Sequence, residues 1–368
     1  MRKVLLATTA LGMSAGVAFA QDMGMADDGM MMEPASSVTV SGDGRMGIIS
    51  TKDEELKFSS RVRVKFALAA TLDNGLSAGG DIRADNAGSG MSGTGGKIFL
   101  SGPFGTLSMG HVDPGAKAAV GHVASVGYVN QGDPNEITYI RGGTDGEEPA
   151  LLYTLPKLGP VQVYASVGMH TSVIKDSEGN PVPANDPPEY THTLNTKLSE
   201  INAGNVDDAV TSDLVKKTQT EISADTLSIG AKADMEIGGL GTAWIGGGFE
   251  ASTNEAQDGQ IVLGAGASVS GFTGTIVAGM QGRDAGEDGA NNDVEQFAVS
   301  AGYSAGQMGV TVFYTDDKDY GGDEALGAGF NWKLGGGAEL KAGFTNWPAK
   351  TEGAEDHQTA DLGVTFAF

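Results

Sequence analysis

The lengths of the links between strands constrain this chain more than any other feature. From residue 38 onward the sequence reads as short, alternating, glycine-rich segments near 38–50, 55–72, 76–86, 96–102, 105–112, 150–156, 160–169 and 224–237. The series continues near 240–252, 259–269, 272–282, 293–304, 307–315, 323–333, 337–346 and 357–368. Side chains alternating with a period of two predict strands, and sixteen is an even number. Tight links ("DNG" after Leu72, "GPF" after Ser101, "KLG" after Pro156, then "GG", "SG", "AG" and "LGGG") alternate with longer polar ones. The tight links carry Gly or Asn where a turn needs positive φ. The long links are 113–149, 170–223, "STNEAQD", "GRDAGEDGANN", "DDKDYGGD" and "WPAKTEGAED". A soluble sandwich has no reason to gather its short turns at one end, whereas a membrane-spanning barrel does. The fold class expected is therefore all-β, a 16-stranded antiparallel transmembrane β-barrel whose segments suit a tilted span of about 9–11 residues.

The two sides of each segment differ in the same sense. Ile261, Leu263, Ala265, Ala267 and Val269 share one side, as do Phe297, Val299, Ala301 and Tyr303, and Met308, Val310, Val312 and Tyr314. The opposite sides carry Gly, Ser, Thr, Gln and charge. An apolar outside and a polar inside predict a watery lumen in place of a packed core. Phe330, Trp332, Phe344, Trp347, Phe366 and Phe368 gather toward strand ends, where an interfacial aromatic girdle would place them.

The stretch "RVRVKF" (61–66) puts Arg61, Arg63 and Lys65 on one side and Val62, Val64 and Phe66 on the other. It stands out because the chain has 47 acidic residues against 23 basic and a net charge of −24. So acidic a balance argues against nucleic acid and against a basic lipid-binding patch. In a soluble protein the stretch would be an edge strand guarded by charge. In a barrel the valines and Phe66 meet lipid and the cations line the bore. Arg45 shares its side with Ser41 and Asp43, and Arg83 with Asp81 and Asp85.

No cysteine is present, so disulfides and thiolate metal sites are excluded. Arg2 and Lys3, a short apolar run and Ala18-Phe19-Ala20 predict a secretory signal over 1–20, with cleavage near Ala20 and Gln21. Residues 21–37 form a Met- and acid-rich leader, expected to be a mobile linker; its thioethers also suit copper(I). The barrel is then expected over 38–368. Its close, "ADLGVTFAF", alternates up to the terminal Phe368, as a strand that seals a barrel against lipid would.

"GKIFLSGPFGTLSMGHVD" (96–113) resembles the strand–turn–strand ahead of the constriction loop in the general porins of Gram-negative bacteria. "VTVSGDGRMGI", "FSSRVRVKFALAATLDNGLSAGGDIR" and "DLGVTFAF" are similar to porins of Rhodobacter-type alphaproteobacteria. The resemblance implies a homotrimeric outer-membrane diffusion channel that passes ions and small hydrophilic solutes, meets outer-membrane lipid and lipopolysaccharide, and carries no catalysis. It also implies that the third long link, 113–149, folds inward and narrows the pore. The wall cations that would face this link are Arg45, Arg61, Arg63, Lys65 and Arg83. The family carries acids ahead of a Gly-Tyr pair; here "GHVASVGYVN" has none before Gly127-Tyr128, and acids follow only later, from Asp133 and Glu136. Charge across the constriction is thus expected to be weaker or displaced. The longer 170–223 insertion is assigned to the extracellular side.

Other chemistry finds little footing. "GSGMSGTGGK" lacks the first Gly of a P-loop and its Ser or Thr after Lys97. No nucleophile elbow or paired-histidine zinc motif occurs, and the five histidines are dispersed. Asp316, Asp317, Asp319, Asp323 and Glu324 supply carboxylates of the kind a structural Ca²⁺ takes, though without EF-hand spacing; a solvated acidic link is the better account of them. No other cofactor is expected. The rival reading from another class is a secreted, acidic, β-rich surface or adhesin protein. The short and long alternation of links speaks against it.

Overall fold

The computed structural model describes residues 36–51, 56–86, 92–129, 133–140, 150–174, 221–252, 259–282, 294–317, 324–349 and 356–368. Sixteen strands form one closed antiparallel barrel, each hydrogen-bonded to its neighbours in sequence and the first to the last. They are β1 (Ser36–Thr51), β2 (Lys57–Thr71), β3 (Ser77–Asp85), β4 (Ser92–Gly102), β5 (Gly105–Gly110), β6 (Ala150–Thr154), β7 (Val161–Ile174) and β8 (Glu221–Ile237). The rest are β9 (Gly241–Ser252), β10 (Gln260–Val269), β11 (Phe272–Gln281), β12 (Val294–Ala305), β13 (Met308–Asp316), β14 (Ala325–Gly335), β15 (Ala338–Trp347) and β16 (His357–Ala367). Closure leaves no free sheet edge, which is what a sheet needs where water cannot satisfy its backbone. Register at the seam sets Arg45 opposite Thr365 and Ile48 opposite Leu362.

The short turns follow their sequence chemistry. In the β10–β11 hairpin both central residues have positive φ, 49° at Ser270 and 87° at Gly271. That is the backbone a two-residue hairpin requires.

Alternation sorts the side chains as period two demands. Ile245, Phe249, Ile261, Leu263, Val310 and Val312 are exposed on one face, while Glu250, Gln260, Gln296 and Ser300 are buried on the other. Val62 and Phe66 fall on the exposed face, with Arg61, Arg63 and Lys65 on the opposite one.

Several expectations need correction. β1 begins at Ser36, inside the region assigned to the leader, and residues 170–174 and 221–223 extend β7 and β8 in place of a link. The other residues of the leader and of the 170–223 link, and the signal region, lie outside the described residues. The 113–149 link is not all irregular: Gly115–Val120 forms a short helix, α1. Trp347 does not join a girdle; it packs against buried side chains and stands 5.2 Å from the His357 ring.

The largest departure concerns the face expected to be wholly polar. Val262, Val277, Ala298, Phe313 and Ala325 lie on it and are buried together with Ala116, Ala119, Val120, Val123, Val126, Ile137 and Tyr139. The packed core of this protein is thus a layer between the link and strands β10–β14.

Candidate functional site

Residues 111–129 and 133–140 form the site because they run along the polar face of the wall and are fastened to it at successive strands. Gly115 N–H donates to Ser166 Oγ on β7 at 2.9 Å, and Ala116 N–H to Ser228 Oγ on β8 at 2.8 Å. These two bonds satisfy helix-start amides that have no partner within α1. Ala124 N–H donates to Ser300 Oγ on β12 at 3.1 Å. Thr138 N–H donates to Gln296 Oε1 at 2.6 Å, and Gln260 and Gln296 return bonds to Thr138 O at 2.7 and 2.6 Å. Ile140 N–H donates to the buried Glu250 at 2.7 Å, and Thr315 Oγ1 donates to Pro134 O at 2.8 Å.

The Gly127-Tyr128 pair is clamped by opposite charges. Asp361 on β16 accepts from Tyr128 N–H and Val129 N–H at 3.1 and 3.2 Å. Arg45 on β1 donates to the carbonyls of the same two residues at 3.2 and 3.3 Å. Close approach is possible because the wall lacks side chains beneath. A Cβ at Gly343 would lie 2.5 Å from Gly127 Cα, and one at Gly248 would lie 2.5 Å from Ala116 Cα.

The cations singled out in the sequence gather on adjacent strands β1–β3. Register pairs Asp43 with Arg63 and Lys65 with Arg83. Arg61 binds Asp85 through two nitrogens, at 2.9 Å from Nε to Oδ1 and 2.5 Å from Nη2 to Oδ2. Arg63 grips Asp43 at 2.9 Å, Lys65 lies 3.4 Å from Asp81, and Arg83 Nε stands 3.7 Å from Asp85. Four cations thus share three wall carboxylates, and Arg45 beside them donates to the link carbonyls.

The link acids divide. Asp133 is close enough to act favourably on the Arg61 guanidinium. Glu136 sits elsewhere, with Oε2 3.6 Å from His122 Nε2. That contact is not an ion pair. Burial, aided by Lys117, drives the His122 pKa down to about 3 and keeps the ring neutral. Nδ1 accepts from Ile137 N–H at 3.1 Å, and the ring meets Tyr139 edge-on at 5.5 Å. Burial also raises the Glu136 carboxyl. Tyr139 donates to Gly121 O at 2.6 Å, and burial lifts its phenol well above the ordinary value.

Of the acidic cluster at the β13–β14 link, Asp319 and Asp323 lie outside the described residues. Asp317 accepts from Thr138 Oγ1 at 2.9 Å, and Glu324 from Tyr314 OH at 3.1 Å. Among the described residues, no group of three or more His, Asp or Glu converges as metal ligands do.

Sequence reasoning missed Asp361, Ser166, Ser228, Glu250, Gln260 and Gln296. Each lies on the polar parity of its strand, so alternation flags them as a set without showing which the link selects. The apolar half of the site did leave a trace. Ile261-Val262-Leu263, Ile276-Val277-Ala278, Phe297-Ala298-Val299 and Val312-Phe313-Tyr314 are consecutive apolar triplets. A strand apolar on both sides is covered on both sides.

Comparison with known proteins agrees with this geometry. The family model described as "Gram-negative porin" matches residues 7–235. A Rhodobacter capsulatus protein described as "Porin" is 38% identical over 135 residues, 35% of this chain and 44% of the relative, so the chain matches less than half the length of that relative. A porin refined at 1.8 Å superposes with a TM-score of 0.60 at 24% identity over 90% of this chain and 100% of the other. A multiple mutant of Rh. blastica porin superposes with a TM-score of 0.56 at 17% identity, with the same coverage of both chains.

Proposed function

The chain belongs to the Gram-negative porin family, and from that premise we propose that it is a passive outer-membrane diffusion channel whose aqueous bore is narrowed by residues 111–140. Its work is physical: ions and small hydrophilic solutes pass down their gradients, and no bond is made or broken. Sixteen strands enclose a bore wide enough for water, where eight would be filled by side chains.

The observation that carries this reading is the route of the link. From Ser166 on β7 to Asp361 on β16 the closed wall takes nine strand steps through β8–β15 and seven through β6–β1. At about 4.8 Å per step, these arcs are ~43 Å and ~34 Å before tilt. Thirteen residue steps separate Gly115 from Tyr128, and six of those residues are helical. Their reach is about 34 Å. The segment's bonds to β8 and β12 lie on the nine-step side, which supports a path inside the barrel along the inner face, shorter than that arc. A segment laid along the inner wall narrows the bore, and its charges sit where a solute must pass.

The wall cations then form one rail of the passage, with Asp133 facing Arg61 from the link. The acidic total of the chain opposes this rail at the mouths. The reading includes a homotrimer, which the low stretch of wall at β5 and β6 supports. β5 and β6 have only six and five residues. Tilted, six residues rise about 16 Å, short of a ~25 Å apolar band. Neighbouring copies would shield this low stretch of wall. Ca²⁺ held by Asp316, Asp317, Glu324 and their neighbours remains a proposal that a calcium titration would test.

The purified protein in a planar bilayer tests the reading. Stepwise, ohmic openings in multiples of three are expected. A silent bilayer with a water-soluble protein would sink the proposal.

A further inference from the structure

One cluster on the inner wall is used neither by the link nor by the cationic rail. It lies one tier below α1 toward the short turns, where register sets Trp244 on β9 between Asp234 on β8 and Gly266 on β10. The indole lies flat on the β10 backbone. A Cβ at Gly266 would stand 2.8 Å from Trp244 Cε2, and one at Gly264 would stand 3.0 Å from Cη2. Two glycines thus make the berth for one ring, and its other face is turned to the bore. There Lys232 Nζ stands 4.8 Å from the ring centroid. The same ammonium is 3.7 Å from Asp234 Oδ1, and Lys157 Nζ is 3.8 Å from Asp234 Oδ2. The Lys157, Asp234 and Lys232 side chains are 57%, 52% and 30% exposed, so their polar ends meet the bore.

We propose that Trp244, Asp234 and Lys232 form a stacking subsite for pyranose sugars at the foot of the constriction. The proposal rests on the channel reading. An indole face accepts the C–H face of a sugar ring, and a carboxylate beside an ammonium accepts from and donates to its hydroxyls. Lys232 yields the ring face easily, since an exposed cation–π contact is weak and Asp234 already lies beside it. An anion is the poorer fit, because Asp234 stands between the two lysines. The sugar would be gathered just beside the narrow point, on the side of α1 that carries the short turns.

Block of single-channel current by maltotriose tests the subsite, each variant being referred to its own open current. Saturable block is expected in the unmodified protein, with a half-blocking concentration raised about tenfold or more by Trp244→Ala and raised less by Trp244→Phe. Asp234→Asn, at an exposed position that leaves the ring in its berth, is expected to weaken block as well. Sorbitol, an open-chain polyol, is the control and is expected to lower current only in proportion to viscosity. Equal block in the unmodified protein and both Trp244 variants would overturn the proposal, as would saturable block by benzoate with none by maltotriose. A conducting channel that no sugar blocks refutes the subsite and leaves the channel; an absence of conductance refutes the channel itself.

Discussion

Replacing Phe313 with Ala attacks the link where it is held and leaves the membrane face of the barrel untouched. The ring is 1% exposed and packs within the layer between the link and β10–β14. Removing a buried phenyl ring costs about 3–5 kcal/mol, as lost transfer energy plus a cavity. The strand ladder does not pass through this layer, so most of that cost falls on docking of the link. At ~1.4 kcal/mol per factor of ten, the detached population rises by about 10²–10³-fold. The assay is single-channel recording, with limited proteolysis of the link as a second readout. The variant is expected to show frequent excursions to a higher conductance, with cleavage between α1 and β6 and an intact barrel. Phe330→Ala, on the exposed face, is the matched control and is expected to leave both readouts unchanged. Quiet, unmodified conductance from Phe313→Ala, in a barrel shown to be folded, would refute the claim that this apolar layer holds the link.

Other expectations follow from the same geometry. Neutralising Arg61, Arg63 and Lys65 together shifts the reversal potential in a salt gradient toward cation selectivity; an unmoved potential means these residues do not line the narrow point. Gly343→Val drives a side chain into Gly127 and breaks the bonds from Tyr128 and Val129 to Asp361, so recordings should show a link released at one end. Acidification loosens the link through His122. Its folded pKa of about 3 lies below the unfolded value of ~6.5, so protons bind the detached state first as pH falls through that window. Docking weakens by up to ~1.4 kcal/mol per unit within it. Glu136, raised in the docked state, opposes this near and above its ordinary range, since its burial penalty disappears as it protonates. His122→Gln, read by pH-dependent channel noise, is expected to remove the loosening.

The wall was legible in the sequence because period two and turn chemistry are local signals. All sixteen strands fall where alternation and the Gly-bearing links put them. The cationic side of "RVRVKF" was legible for the same reason. Its partners were not: Arg63 takes Asp43 and Arg61 takes Asp85, twenty and twenty-four residues away. Those pairings depend on cross-strand register, which no single strand encodes. Resemblance led to the expectation that link acids face the cations, yet Glu136 turned to His122 while wall carboxylates took up most of the rail. The buried layer is not legible to a reading that allots each strand a single apolar face. The triplet around Val277 carried the opposite message, since a strand flanked by lipid outside and by a docked segment inside is apolar on both sides.

The central claim is that the link between β5 and β6 lies inside the bore and sets its width. Single-channel conductance of a chain in which residues 115–140 are replaced by a short Gly-Ser connector tests it most directly. The account predicts a stable channel with several-fold greater conductance and passage of larger sugars. A folded, trimeric barrel whose conductance and size limit match those of the unmodified protein would contradict it.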